Sequence, residues 1–155
     1  MDKCALYNDL LQRLAPMIEG ETNAVSVMAN TTALLREVMG ERFFWTGFYT
    51  VNGKQLELGP FQGTTACYRI GYGRGVCGTA WELAKTLVMP DVEQFPGHIA
   101  CSSLSRSEIV VPVRDSHGMV QAVIDIDSRE LAAFDDIDAR RLEQVAQLVA
   151  NVIYK

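Results

Sequence analysis

Three cysteines, Cys67, Cys77 and Cys101, fall in or beside segments rich in glycine and small residues. A thiol in such a setting can act as a nucleophile, cross-link to a second thiol, or pack as a small hydrophobe. Cys101 closes the sequence His98-Ile99-Ala100-Cys101 just before a serine-rich run, a context that argues against a buried structural role for it. Zinc is a poor fit to the spacing. No C-x-x-C pair occurs, and the only histidines are His98 and His117, so no metal site is expected. Cys4 lies far from the others in sequence and is read as incidental.

Carboxylates supply a second reactive group. Val123-Ile124-Asp125-Ile126-Asp127 places two acids in an apolar run. Alternation along a strand points Asp125 and Asp127 to one face, where repulsion and burial would leave at least one of them protonated near neutral pH. A hairpin with the preceding strand would bring Glu108 close to both. The bland alternative is a solvated strand end, but the Val and Ile neighbours on both strands favour a pocket. Trp45, Gly47 and Tyr49 also share a face, and the glycine leaves a gap that a small apolar group could fill. Taken alone, these three residues fit ordinary core packing better than a pocket. Gly71-Tyr72-Gly73-Arg74-Gly75 lacks both the G-x-G-x-x-G spacing and a following Lys-Ser/Thr, so it is read as a loop rather than a phosphate cradle.

These groups need a scaffold, and the hydrophobic periodicity provides one. Leu6, Leu10, Leu14 and Ile18 have helical spacing, with Gly20 as a stop. A second helix begins at Thr22 or Asn23, runs through Val38 and ends at Gly40. The period then changes. Phe43 to Val51 reads as a strand, Asn52-Gly53 as a hairpin turn and Gln55 to Leu58 as the return. Gly59 to Gly63 reads as a loop, Cys67 to Ile70 as a short strand and Val76 to Ala84 as a helix. Thr86 to Met89 is another short strand. Pro90 to Ser105 is long and aperiodic, a feature common in functional loops. Ser107 to Arg114 and Met119 to Ser128 form two strands around a turn at Asp115 to Gly118. The last helix starts at Asp135, with Asp138 in a capping-box position, and carries a stripe of Leu142, Val145, Val149, Val152 and Ile153. The order implies an α+β fold: one domain over 1–155, with helices over 1–40, sheet and inserted helix over 43–128, and a final helix over 135–154.

The chain has 155 residues, 48% hydrophobic and 21% charged, enough for one substantial core. Its net charge of -5 and the absence of a basic run exclude nucleic acid as an expected partner. No apolar stretch of membrane-spanning length and no signal-peptide pattern occur, so a reducing cytoplasm is the expected setting, where paired cysteines are more often catalytic or redox-sensing than structural.

Several blocks together resemble one family. They are Trp45 with Gly47-Phe48-Tyr49; Gly59-Pro60-Phe61-Gln62-Gly63 with Ala66-Cys67; Gly75-Val76-Cys77-Gly78-Thr79-Ala80; Phe95-Pro96-Gly97-His98-Ile99-Ala100-Cys101 with Ser107-Glu108-Ile109-Val110-Val111-Pro112; and Asp125-Ile126-Asp127-Ser128. In this order they resemble the free methionine-(R)-sulfoxide reductases, which have a GAF-type fold. The resemblance implies a mostly antiparallel central sheet flanked by helices. It also implies that Cys101 attacks the sulfoxide sulfur, that Cys67 is the usual resolving partner and that Cys77 is a third cysteine of less uniform role. Glu108, Asp125 and Asp127 would hold the substrate, and Trp45 and Tyr49 would line the pocket around its methyl-sulfinyl end. No bound cofactor is implied; thioredoxin, itself reduced by NADPH through thioredoxin reductase, would be the external reductant. A homodimer stays open. Three positions depart from the family pattern: Ser102, where an acid is frequent; Trp81, where a small residue is usual; and Glu93 and Gln94, where a histidine often follows Asp91-Val92. Two rival readings use the same pocket or thiols: a GAF-type sensor without chemistry, and a redox-sensing interaction protein. The sensor has no need of three cysteines, and the interaction protein predicts thiol oxidation without sulfoxide turnover.

Overall fold

The computed structural model describes residues 2–99 and 104–155. Its centre is a six-stranded sheet in the order β3-β2-β1-β6-β5-β4. The strands are β1 (Trp45–Asn52), β2 (Gln55–Gln62), β3 (Arg69–Gly71), β4 (Leu87–Met89), β5 (Ser107–Arg114) and β6 (Val120–Ser128). Every pairing is antiparallel. Helices α1 (Lys3–Ile18), α2 (Ala24–Met39) and α4 (Asp136–Ile153) cover one face, and α3 (Gly75–Leu83) packs on the other.

The helix boundaries follow from local chemistry. Asn23 accepts a hydrogen bond from the Ser26 amide and starts α2; Gly40 ends it at φ +72°, a conformation costly for residues with a Cβ. Asp135 and Asp138 form a reciprocal capping box at the start of α4. Asp138 is fully buried and also accepts from Tyr7 Oη at 2.5 Å and Lys3 Nζ at 2.6 Å, which ties the first helix to the last.

Strand alternation divides the interior into two cores. Ile109, Val111, Val113, Ala122, Ile124 and Ile126 join residues of α1, α2 and α4 in the larger one. Trp45, Tyr49, Leu56, Ile70, Val110 and Val123 meet Val76, Cys77 and Ala80 of α3 in the smaller one. Each fully buried Leu, Ile or Val side chain contributes about 1.5–3 kcal/mol through removal from water.

Two segments differ from the expectation. Gly59 to Gln62 belong to β2, not to a loop: Thr46 pairs with Gln62 and Gly47 with Phe61 beyond an irregularity between Gly47 and Tyr49. The shift accommodates the Gly-Pro pair that reads as a turn, since a proline is tolerated where the ladder is already broken. The strand expected from Cys67 begins instead at Arg69, which leaves Cys67 in the connecting loop. Asp91 caps a single 3-10 turn, Val92–Gln94, inside the long segment after β4.

The seat of α3 depends on two glycines of different kinds. A Cβ on Gly78 would lie 2.4 Å from the Gly71 carbonyl oxygen, a backbone atom. A Cβ on Gly71 would meet only Arg74 Cγ, at 3.2 Å. The loop between them is held by Gly73 N–H donating to Gly78 O and Arg74 N–H donating to Gly71 O, and Tyr72 sits edge-on to Trp81 with ring centres 4.7 Å apart. Gly78→Ala should therefore lower stability by about 1–3 kcal/mol through overpacking, whereas Gly71→Ala should change it much less. Urea midpoints of the two variants check the contrast; equal midpoints would contradict it.

Candidate active site

A cleft of about 510 Å³, open mouth included, lies between the α3 side of the sheet and the segment ending at Ile99. Trp45 and Tyr49 form one wall, Cys77 and Val76 the α3 side, and Glu108, Asp125 and Asp127 the sheet floor. Six of the eight residues named from the sequence thus line one cleft. Cys67 is half-buried in the loop behind Tyr49, whose hydroxyl donates to the Cys67 carbonyl at 3.0 Å. Cys67 takes part in a disulfide, whereas Cys4 and Cys77 are free thiols. Cys101 lies outside the described residues.

The aromatic wall corrects one expectation. No gap remains above Gly47. The Trp45 ring lies across it, and a Cβ there would be 2.7 Å from Trp45 Cη2 and 2.4 Å from Phe61 Cβ. Trp45 stacks on Phe61 at 5.1 Å and on Tyr49 at 5.9 Å, and its indole N–H donates to the Thr64 carbonyl. The missing side chain of Gly47 lets the indole lie flat, so the surface offered to a ligand is the stack itself. Phe61 was hidden from sequence reasoning because its segment reads as a loop; once the Gly47–Phe61 register is set, its position follows.

The acids meet as the hairpin expectation required. Glu108 pairs with Asp127 across β5 and β6, and Val110 pairs with Asp125. Glu108 and Asp125 are each only 6% exposed, and Asp127 is partly exposed. Burial raises all three carboxyl pKa values. Glu108 and Asp127 are pushed well above the ordinary range, with the charge of Asp125 as the next cause. Asp125 is raised too, but hydrogen bonds from Glu108 and Cys77 act in the opposite direction. Burial and mutual repulsion therefore favour the protonated form within the cluster, most strongly at Glu108 and Asp127. Asp125 Oδ1 is buried and has no hydrogen-bond partner among the described residues.

Two further groups border the acids. Cys77 Sγ is 4.0 Å from Glu108 Oε2, and burial followed by the nearby carboxylates pushes its thiol pKa well up. Burial thus disfavours its thiolate, the nucleophilic form. His98 Nε2 is 3.9 Å from Glu108 Oε1, and burial lowers its pKa. Ile99 reaches the N-terminus of α3, where a Cβ on Gly75 would come within 3.0 Å of it. Cys77, Glu108 and Asp125 each offer a ligand atom within 4.8 Å of the others. Sequence spacing could not reveal that set, because its members come from α3, β5 and β6.

The raised carboxyl pKa values have a stability consequence. The unfolded chain loses these protons first, at about pH 4, and the folded chain loses them later. The cluster is thus least costly at acid pH, and its cost grows as pH rises through the folded pKa values. Asp127→Asn should stabilise the protein at neutral pH, and the gain should shrink towards about pH 4. Urea denaturation across that range measures it; a gain independent of pH would contradict the assignment.

None of the helices among the described residues is long and apolar enough to cross a membrane. Residues 21–153 match the GAF domain family. The chain is 51% identical to GAF domain-containing protein A of Dictyostelium discoideum, covering 94% of this chain and 90% of that one. It is 44% identical to the free methionine-R-sulfoxide reductase of Escherichia coli, covering 100% and 95%. The X-ray structure of free methionine-R-sulfoxide reductase from Neisseria meningitidis in complex with its substrate superposes with a TM-score of 0.93 at 48% identity, covering 97% of this chain and 90% of that one. The chain belongs to the free methionine-R-sulfoxide reductases of the GAF-domain family, and is accordingly an oxidoreductase.

Proposed function

We propose that the protein reduces free methionine-(R)-sulfoxide to methionine in the cytoplasm, with Cys101 as nucleophile and thioredoxin as the final reductant. The observation that carries this reading is the buried carboxyl triad set against a stacked aromatic wall. A sulfoxide has an electrophilic sulfur and a basic oxygen. Its reduction needs a nucleophile at sulfur and a proton for the departing oxygen. Burial raises the carboxyl pKa of Glu108 and Asp127, which suits either of them to keep a proton for that oxygen. Ionised Asp125, with its unpartnered oxygen, is suited to the substrate ammonium. Trp45 and Tyr49 offer apolar faces to the methyl-sulfinyl end. Arg74, on the rim of the cleft at the N-cap of α3, adds a cation for the substrate carboxylate.

In the proposed sequence the Cys101 thiolate attacks sulfur while a carboxyl protonates oxygen. Methionine leaves and Cys101 becomes a sulfenic acid. The Cys67 thiol then attacks that sulfur, water departs and a disulfide forms. A dithiol such as reduced thioredoxin opens the disulfide by exchange and becomes oxidised itself. The disulfide at Cys67, beside free Cys77, supports Cys67 as the resolving thiol. So does the elevated pKa of Cys77, which keeps its thiolate scarce.

Cys101→Ser should abolish methionine formation. Cys67→Ser should release about one methionine per chain and then stall, a single turnover of the ladder from thiol to sulfenic acid. Quenched assays with the separated R and S isomers, free and within a peptide, measure both points. Multiple turnover without Cys101, or equal use of the two isomers, would overturn the reading. Turnover with thioredoxin, followed through NADPH, separates this enzyme from a passive sensor.

A further inference from the structure

The acid cluster borders two donors, Cys77 and His98, that the proposed sulfoxide reduction leaves unused. Cys77 Sγ and carboxylate oxygens of Glu108 and Asp125 lie within 4.8 Å of one another. His98 Nε2 approaches Glu108 from the side of the 95–99 segment, at 3.9 Å. Cys77, Glu108 and Asp125 stand on regular elements, so their backbones are fixed by α3, β5 and β6. A cluster of acids alone would hold only water or a hard cation. Here a buried thiol lies among them, and Asp125 Oδ1 is buried with no hydrogen-bond partner among the described residues.

We propose that Cys77, Glu108, Asp125 and His98 form a binding site for a thiophilic divalent cation, Zn²⁺ in the first place, and that this ion and the sulfoxide exclude one another from the cleft. One thiolate, one imidazole and two carboxylates make a borderline-soft donor set of the kind zinc takes in tetrahedral sites. Bond lengths of about 2.0–2.3 Å in such a site require Cys77, Glu108 and Asp125, now within 4.8 Å of one another, to draw closer, and His98, which lies outside that group but 3.9 Å from Glu108, to swing in from the 95–99 segment. The ion would take the negative charge that burial otherwise suppresses, and would expel the Cys77 thiol proton and the carboxyl protons as it binds. Ion binding is independent of the reductase reading. Only the competition with sulfoxide rests on it.

The test uses the full chain carrying Cys4→Ser, Cys67→Ser and Cys101→Ser, which leaves Cys77 as its only thiol, with a cooperative thermal melt to establish that it is folded. Titration with Co²⁺ should give one equivalent of binding, a thiolate-to-cobalt charge-transfer band and the strong visible absorption of a tetrahedral ion, both bleached by Zn²⁺. Cys77→Ser in this background should remove the charge-transfer band. Asp125→Asn should weaken Co²⁺ binding about tenfold or more; Glu108→Gln replaces it if that variant fails to fold. Saturating methionine sulfoxide should bleach the cobalt spectrum. No charge-transfer band, a band that survives Cys77→Ser, or affinity unaltered by the carboxylate variant overturns the site. A spectrum indifferent to sulfoxide overturns the exclusion. Methionine release by the unsubstituted protein is measured separately, so loss of the ion site and loss of the reductase reading are distinguishable.

Discussion

Three carboxyl groups packed on one face of the β5–β6 ladder set the terms for everything around them. Glu108 sits opposite Asp127, and Asp125 is one alternation step away. In water these groups would all ionise. In this cleft the low polarity and mutual repulsion oppose it. The protein therefore tolerates a site that costs stability at neutral pH, and in return holds protons at positions where an ordinary surface carboxyl holds none. The neutral thiol of Cys77 and the depressed basicity of His98 are consequences of the same burial.

The aromatic wall is the counterpart of that acidic floor. Its geometry depends on an absence, the missing Cβ of Gly47, which lets Trp45 fold across its own strand to reach Tyr49 and Phe61. Tyr49 then does two things. Its ring faces the cleft, and its hydroxyl holds the carbonyl of Cys67. The wall and the loop carrying that cysteine are thus one mechanical unit.

Much of this was legible in the chain. The 3.6-residue stripes, the Asn23 and Asp135 caps and the Asn52-Gly53 turn mark elements by local physics, and those elements lie where the periodicity puts them. The shared face of Asp125 and Asp127 follows from alternation alone. What local patterns hid was set by long-range pairing. Gly59 and Pro60 carry a turn signature, yet pairing with β1 draws their segment into a strand. Likewise the nearness of Cys77 to Glu108 and Asp125 depends on how closely α3 approaches the sheet, a distance set by the bare Cα of Gly78 against the Gly71 carbonyl. Family resemblance, rather than spacing, pointed to the roles of Cys67 and Cys101.

The sheet also acts as a bulkhead. The larger core, under α1, α2 and α4, is sealed on its far side and closed by the Tyr7–Asp138–Lys3 clamp. The smaller core under α3 shares the sheet but almost none of the side chains. Reserves of folding energy can therefore accumulate behind the partition without disturbing the reactive compartment. The converse holds as well: the costly, half-frustrated compartment in front can be rebuilt over evolutionary time while the hull behind it keeps the molecule afloat.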